Sequence, residues 1–340
     1  MDQDATIIGS SKAFALRTYE GARGYQPMLA VWAELNVVLA DEFHDGKVPA
    51  MMDPLAVAKK AFATLPPTVT EFSYRGDSAC HESRLMNWLR DEERADGPRR
   101  FIGFAISARM SEALHTAIGK VQAEAWAANG KEYGTEIREC AEVSFVPGEK
   151  SEHKDTQPLR YLAIRIRPRQ EDLFADGSKV KHFAVVTNIR EWKAGRLIEW
   201  HRERAGTIEG VHEVLKNELA AGVMASKYFG ANAAWLRLAV LAYTVMTSLQ
   251  RLALPADLLA ARPKRLRFLI LNTAGRLVHH ARRMVLRLAT KGERLAEWLE
   301  TMKLLPIGVG RGSGWFLSTE FKTRCWRKAN RMECARNPRT

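Results

Sequence analysis

The chain has 340 residues, 46% hydrophobic and 27% charged, enough to bury one large core or two ordinary ones and unlike a disordered or fibrous chain. A formal net charge of +13 and a pI of about 9.7 point to an anionic partner, nucleic acid or an acidic membrane surface. Cys80, Cys140, Cys325 and Cys334 form no C-x-x-C pair, which argues against a zinc ribbon and a disulfide framework and fits reduced thiols in a cytoplasm.

Residues 2–8, "DQDATII" before Gly9, read as a strand, which sets Asp2 and Asp4 on one face, where like charges need a cation, a hydrogen-bond network or water. After the turn-rich "YEGARGYQP", residues 28–43 read as a hairpin and 53–65 as a helix closed by Pro66 and Pro67. A strand at 70–79 runs into Gly76-Asp77, an amphipathic helix follows at 81–93, and another strand at 99–108. Residues 109–197 mix a helix at 112–128 with strands "IRECAEVSF", "LRYLAIRIRP" and "KHFAVVTNI". The next helix spans 206–222, between Gly206-Thr207 and Gly222. A long apolar helix covers 230–252; Arg237 near its middle favours a buried core helix over a membrane span. Basic helical segments follow, and residues 303–340 read as a loose basic tail.

This order is that of an α/β protein with an antiparallel start, and it fits a ribonuclease-H-like core, a mixed sheet flanked by helices. The expected divisions are 1–108 and 198–255 for the two parts of the core, 109–197 for a β-rich insertion, 256–302 for a helical basic C-terminal region, and 303–340 for the tail.

Asp77 falls at the carboxyl end of a strand, where α/β sheets place ligands. Glu209 falls in the first turn of its helix and shares a face with Lys216, seven residues on, with Arg202 and Arg204 just upstream. A carboxylate in such a basic surface can hold a metal while the cations hold phosphate oxygens; a solvated charged helix is the bland alternative. Glu209-x-x-His212 is half of a di-iron motif, but no second copy exists.

The spans "DQDATIIG", "YRGDSACHESRLMNWL" and "HRERAGTIEGVHEVLKNELAAG" resemble the catalytic core of insertion-sequence DDE transposases, across roughly residues 2–285. The resemblance is to the bacterial cut-and-paste branch with a tyrosine-arginine-glutamate-lysine signature. It implies that Asp4, Asp77 and Glu209 are catalytic metal ligands, with Asp2 the second choice for the first acid. Two Mg²⁺ ions, or Mn²⁺ as a substitute, would be held there. Arg202, Arg204 and Lys216 would bind DNA, with Lys216 at the signature's spacing after Glu209. The signature arginine position holds Ala205, one step from Arg204, and Trp200 or His201 stands for the tyrosine.

The resemblance further implies cleavage of double-stranded DNA at element ends and strand transfer into a target, a dimer in the DNA complex, no membrane partner, and a cytoplasmic, nucleoid-associated location. Family members carry a region ahead of the first acid that has no counterpart here, and residues after 303 match nothing in the family, so a shortened chain is expected. Its alternatives are a catalytically inactive DNA-binding remnant and a same-fold nuclease without strand transfer. Trp126, Tyr133 and Trp192 are candidates to stack on unpaired bases, against the commoner role of core packing.

Overall fold

The computed structural model describes residues 1–49, 51–129, 136–147, 157–168, 180–272, 275–280 and 283–288. The chain divides into two units, Met1–Leu249 and Gln250–Thr340.

The first unit begins with β1 (Asp2–Ala5), β2 (Ile8–Gly9), β3 (Leu16–Arg17), β4 (Arg23–Tyr25), β5 (Met28–Trp32) and β6 (Val37–Glu42). Then come α1 (Pro54–Ala63), β7 (Phe72–Gly76), α2 (Ser83–Arg90), β8 (Ile102–Ser107) and α3 (Glu112–Gly119). Strands β9 (Ala127–Ala128), β10 (Glu136–Val143), β11 (Arg160–Pro168) and β12 (Lys181–Thr187) precede α4 (Ala194–Arg202), α5 (Ile208–Asn217) and α6 (Phe229–Ala253), the last running into the second unit.

One sheet holds most of these strands, in the order β6-β5-β1-β7-β8-β12-β11-β10-β9. Strand β1 pairs antiparallel with β5 and parallel with β7, and β7 pairs parallel with β8. Beyond β8 the ladder is antiparallel throughout, so β9–β12, from the segment read as an insertion, continue the same sheet.

Alternation along the strands decides which helices cover which face. Met28 and Ala30 of β5 pack on Val57 and Ala61 of α1, whereas Leu29 and Val31 pack with Ile208, Val211 and Leu215 of α5. Phe104 and Ile106 of β8 likewise join Leu85 and Leu89 of α2, while Ala105 faces Leu197 and Ile198 of α4. Helices α1 and α2 therefore cover one face and α4, α5 and α6 the other.

Several elements depart from the sequence reading. The strand expected over 2–8 breaks after Ala5: the Thr6 amide bonds the Pro27 carbonyl at 2.9 Å, and Ile8 enters a separate three-stranded sheet, β2-β4-β3. The helix expected over 112–128 stops at Gly119, and Ala127–Ala128 pair with β10 instead. Helix α4 lies where no helix was expected; Leu197, Ile198 and His201 form its buried stripe. Helix α5 is shorter than 206–222. Its end is closed by amides of Ala221 and Gly222 returning to the carbonyls of Leu215 and Lys216, with Ala220 at φ 61°. Gly222 is required there, since a Cβ would lie 2.7 Å from the Lys216 oxygen.

Helix α6 is half-buried rather than wholly buried. Leu236, Ala239, Val240 and Tyr243 pack with α5, and Asn232 donates to the Tyr25 hydroxyl at 3.0 Å, while Leu238, Leu241 and Val245 are exposed. By length and composition Phe229–Leu252 is the only described helix that could cross a membrane.

In the second unit α7 (Pro263–Leu266) and a π-turn (Arg267–Leu271) lead to β13 (Gly275–His280) and β14 (Arg283–Leu288). These strands form an antiparallel ladder in which Val278 pairs with Val285. The helix expected here is thus a pair of strands, as β-branched residues favour. The remaining basic region from residue 289 and the tail at 303–340 lie outside the described residues.

Candidate active site

Strands β1 and β7 lie side by side and parallel, with Asp2 opposite Arg75. Asp4 is two residues beyond Asp2 on β1, and Asp77 two beyond Arg75 at the end of β7. The sheet thereby carries both aspartates to one edge, the end of its parallel strands, where α/β sheets leave a crevice.

Asp77 caps a 3-10 turn over Ser78–Cys80, its Oδ1 accepting from the Ala79 amide at 3.0 Å. The turn packs tightly: a Cβ on Gly76 would lie 2.6 Å from Cβ of Cys80. From the other face of the sheet, His201 sets its Nε2 3.1 Å from the Gly76 carbonyl. Burial pushes that imidazole down to about 4, so it stays neutral at pH 7.

Asp4 and Asp77 lie close enough that each bears on the other's ionisation. Burial first, and then the charge of Asp77, push Asp4 up to about 7, with Glu209 adding a smaller push in the same direction. Burial also raises Asp77. Two carboxylates this close cannot both ionise cheaply. Glu209 sits in the first turn of α5, exposed, within electrostatic reach of Asp4.

Two cations border this pair. Arg204, in the 3-10 turn Glu203–Gly206, places Nη1 3.3 Å from Oδ2 of Asp4, as an ion pair rather than a directed hydrogen bond. Lys216 donates from Nζ to Oγ1 of Thr6 at 2.6 Å; burial lowers its pKa, and the charges of Asp4 and Glu20 oppose that. Glu20 belongs to the β3–β4 turn, whose neighbour Tyr19 is 72% exposed and also feels Asp77 and Asp4. His212 is buried against the Asp4 backbone carbonyl and pushed down to about 3, chiefly by burial.

The structure thus brings together Asp4, Asp77, Glu209, Arg204 and Lys216. Arg202 is elsewhere: its charged neighbours are Arg138 and Glu199. Asp2 is fully buried, held by Arg75 through Nε–Oδ1 at 2.6 Å and Nη2–Oδ2 at 2.9 Å, so it is not open to a ligand. The rings proposed for base stacking are occupied. Arg165 lies 4.2 Å from the Trp126 centroid, and Trp192 is covered by Arg196 at 4.3 Å and Trp200 at 5.5 Å. Tyr133 lies outside the described residues. The sequence reading gave no site role to Arg75 or Tyr19, took Thr207 only as a helix start and His201 only as a stand-in for the signature tyrosine; for Arg75 the available signal was an arginine between Tyr74 and Gly76 in a strand whose neighbours are buried.

A divalent cation fits the donor set in kind. Asp4 and Asp77 are partly buried oxygen donors whose mutual repulsion such a cation would relieve, and hard divalent cations take carboxylate oxygens. Among the described residues no three His, Cys, Asp or Glu side chains stand close enough to share one ion. The fit therefore rests on the aspartate pair, with Glu209 as a nearby third acid.

The architecture and the site together define an α/β protein with an acidic centre at the edge of a mixed sheet, inside a strongly basic chain. The chain belongs to the transposase DDE domain group 1 family, whose profile matches residues 1–306. No curated protein matches the sequence. Among solved structures it is similar to a chain in a cryo-EM structure of a piggyBac transposase synaptic complex with hairpin DNA, at 8% identity and a TM-score of 0.36. That similarity covers 76% of this chain and 56% of the other, so this chain spans little more than half the length of that relative.

Proposed function

We propose that the protein is a transposase of the cut-and-paste insertion-sequence type, cleaving DNA phosphodiesters at element ends and joining the freed 3′-hydroxyl to target DNA. The observation that carries this reading is the partly buried Asp4–Asp77 pair at the end of the parallel strands, in a chain of the DDE family. The order β6-β5-β1-β7-β8, antiparallel up to β1 and parallel beyond it, supports a ribonuclease-H-like core.

In this reading Asp4, Asp77 and Glu209 hold two Mg²⁺ ions, or Mn²⁺, which when bound supply positive charge to the attacking and leaving oxygens of an in-line displacement. Asp4 would bind as its deprotonated carboxylate, with Asp77 as the second ligand. Glu209 completes the set from the first turn of α5. Lys216 and Arg204 hold strand phosphates beside the cut, and Arg202 neutralises DNA backbone further out. Double-stranded DNA is the partner, a dimer the active assembly, and the bacterial cytoplasm at the nucleoid the location.

A second reading, a DNA-binding remnant without catalysis, is favoured by Arg204 already neutralising Asp4. Incubation of the full chain with supercoiled DNA in Mg²⁺ or Mn²⁺, beside Asp77→Ala, separates the two. Nicking that needs metal and is lost in Asp77→Ala is the expected result. Salt-sensitive binding with no nicking by either protein would overturn the catalytic reading. Nicking without joined products would leave a same-fold nuclease.

A further inference from the structure

We infer that the buried pair Asp2–Arg75 and the half-buried Thr207 form one hub that fixes the relative positions of the three acids, making Arg75 and Thr207 positioning residues for metal binding. The inference rests on the metal-binding reading of Asp4, Asp77 and Glu209 given above.

Each member of the hub stands two residues before one acid: Asp2 before Asp4, Arg75 before Asp77, Thr207 before Glu209. The three acids come from β1, the end of β7 and α5, elements far apart in the chain, and the hub ties those same elements to one another. Arg75 grips both oxygens of Asp2. The remaining lone pairs of Oδ2 receive the Thr207 hydroxyl, in a contact closer than its 3.0 Å approach to the Arg204 carbonyl. The hydroxyl has one proton, and the charged acceptor is the stronger one.

The other arm of Arg75 reaches α4. Nη1 donates to the Trp200 carbonyl at 2.6 Å and lies 3.4 Å from Glu203, and the guanidinium sits 5.3 Å from the Trp200 ring centroid. The Arg75–Asp2 pair at its centre is closed to solvent, with Arg75 5% exposed and Asp2 0%, while Glu203 at its border is exposed. A bidentate pair is directional, so it fixes orientation as well as distance. On β1 the step from Asp2 to Asp4 spans only ~7 Å of extended chain. A tilt at the hub is therefore passed on to the acids with little slack.

The test compares Thr207→Val, which keeps the shape and removes the donor, with Thr207→Ser, which keeps the donor. The full chain is titrated with Mn²⁺ and binding read by calorimetry. In parallel, the metal-free protein is followed by hydrogen exchange at the Ala79 amide, which bonds Asp77. Thr207→Val is expected to weaken Mn²⁺ binding by about tenfold, as for partners that orient metal ligands, and to speed exchange at Ala79. Thr207→Ser is expected to restore both, and duplex DNA binding without divalent metal is expected to stay within about twofold of wild type. Wild-type values for both readouts in Thr207→Val would overturn the hub. Should the wild-type chain bind no Mn²⁺, the metal-binding reading itself fails, and unchanged Ala79 exchange in Thr207→Val would still count against the hub separately.

Discussion

Asp4 and Asp77 lie close together at the end of two parallel strands, and burial with the charge of Asp77 raises Asp4 to about 7, so it keeps a proton that a solvated aspartate would have lost. Because the native state binds that proton more tightly than the unfolded chain, stability must fall as pH rises between the two pKa values. For Asp4 the window runs from the ordinary 3.8 up to about 7. Below it both states are protonated, and above it neither is. The metal-free protein is therefore expected to lose up to a few kcal/mol between pH 4 and 7 from this group. Chemical denaturation across that range should show the slope, and Asp4→Asn should flatten it.

Arg204 works against that proton. Its ion pair at 3.3 Å favours the charged form of Asp4, so Arg204→Gln is expected to push Asp4 higher still. Divalent metal needs the deprotonated carboxyl, so the pH of half-maximal Mn²⁺ binding should move upward in the variant. A downward move would mean that Arg204 mainly repels the ion.

Gly76 holds the turn that carries Asp77. Its φ is not the issue; a Cβ would meet Cβ of Cys80 at 2.6 Å and Tyr74 Cε1 at 3.2 Å, both in the packed interior. Gly76→Ala is expected to cost about 1–3 kcal/mol in urea denaturation and to abolish metal-dependent nicking by shifting Asp77. Cys80→Ala, which keeps Cβ but frees the sulfur's space, should be milder than Gly76→Ala on both counts.

Much of the central sheet was legible in the sequence because its strands are short apolar, β-branched runs and its hairpin at 28–42 is bounded by turn residues. Asp77 stood out because Gly76 marks the end of its strand, and Glu209 because it falls in the first turn of a helix on one face with Lys216. Helix α4 was hidden: its buried stripe is only Leu197, Ile198 and His201, in a segment dominated by charge. The hub was hidden too, since Arg75 and Asp2 look like two exposed charges until register sets them opposite each other in adjacent strands. Nothing in spacing along the chain tells a buried ion pair from a ligand, which is why Asp2 and Asp4 could not be separated from sequence alone. What the aromatic candidates touch was hidden for a related reason, since Trp126 and Trp192 each carry an arginine of their own domain over the ring.

The cations of the site differ in the way they can serve DNA. Lys216 is half-buried and bonded to Thr6, beside Asp4, whereas Arg202 lies among Arg138 and Glu199 at some remove from the acids. If each holds one phosphate, removing either should reduce the slope of log affinity against log salt by about one. Only Lys216 is close enough to position the strand at the acids, so Lys216→Gln should also lower nicking at saturating DNA, while Arg202→Gln should weaken binding and leave the saturated rate near wild type. Fluorescence anisotropy on duplex DNA between 50 and 200 mM salt (a range of the order used for such slopes), with nicking rates measured in parallel, distinguishes the two. Equal losses of saturated rate in both variants would show that proximity to Asp4 gives Lys216 no special part in the cut.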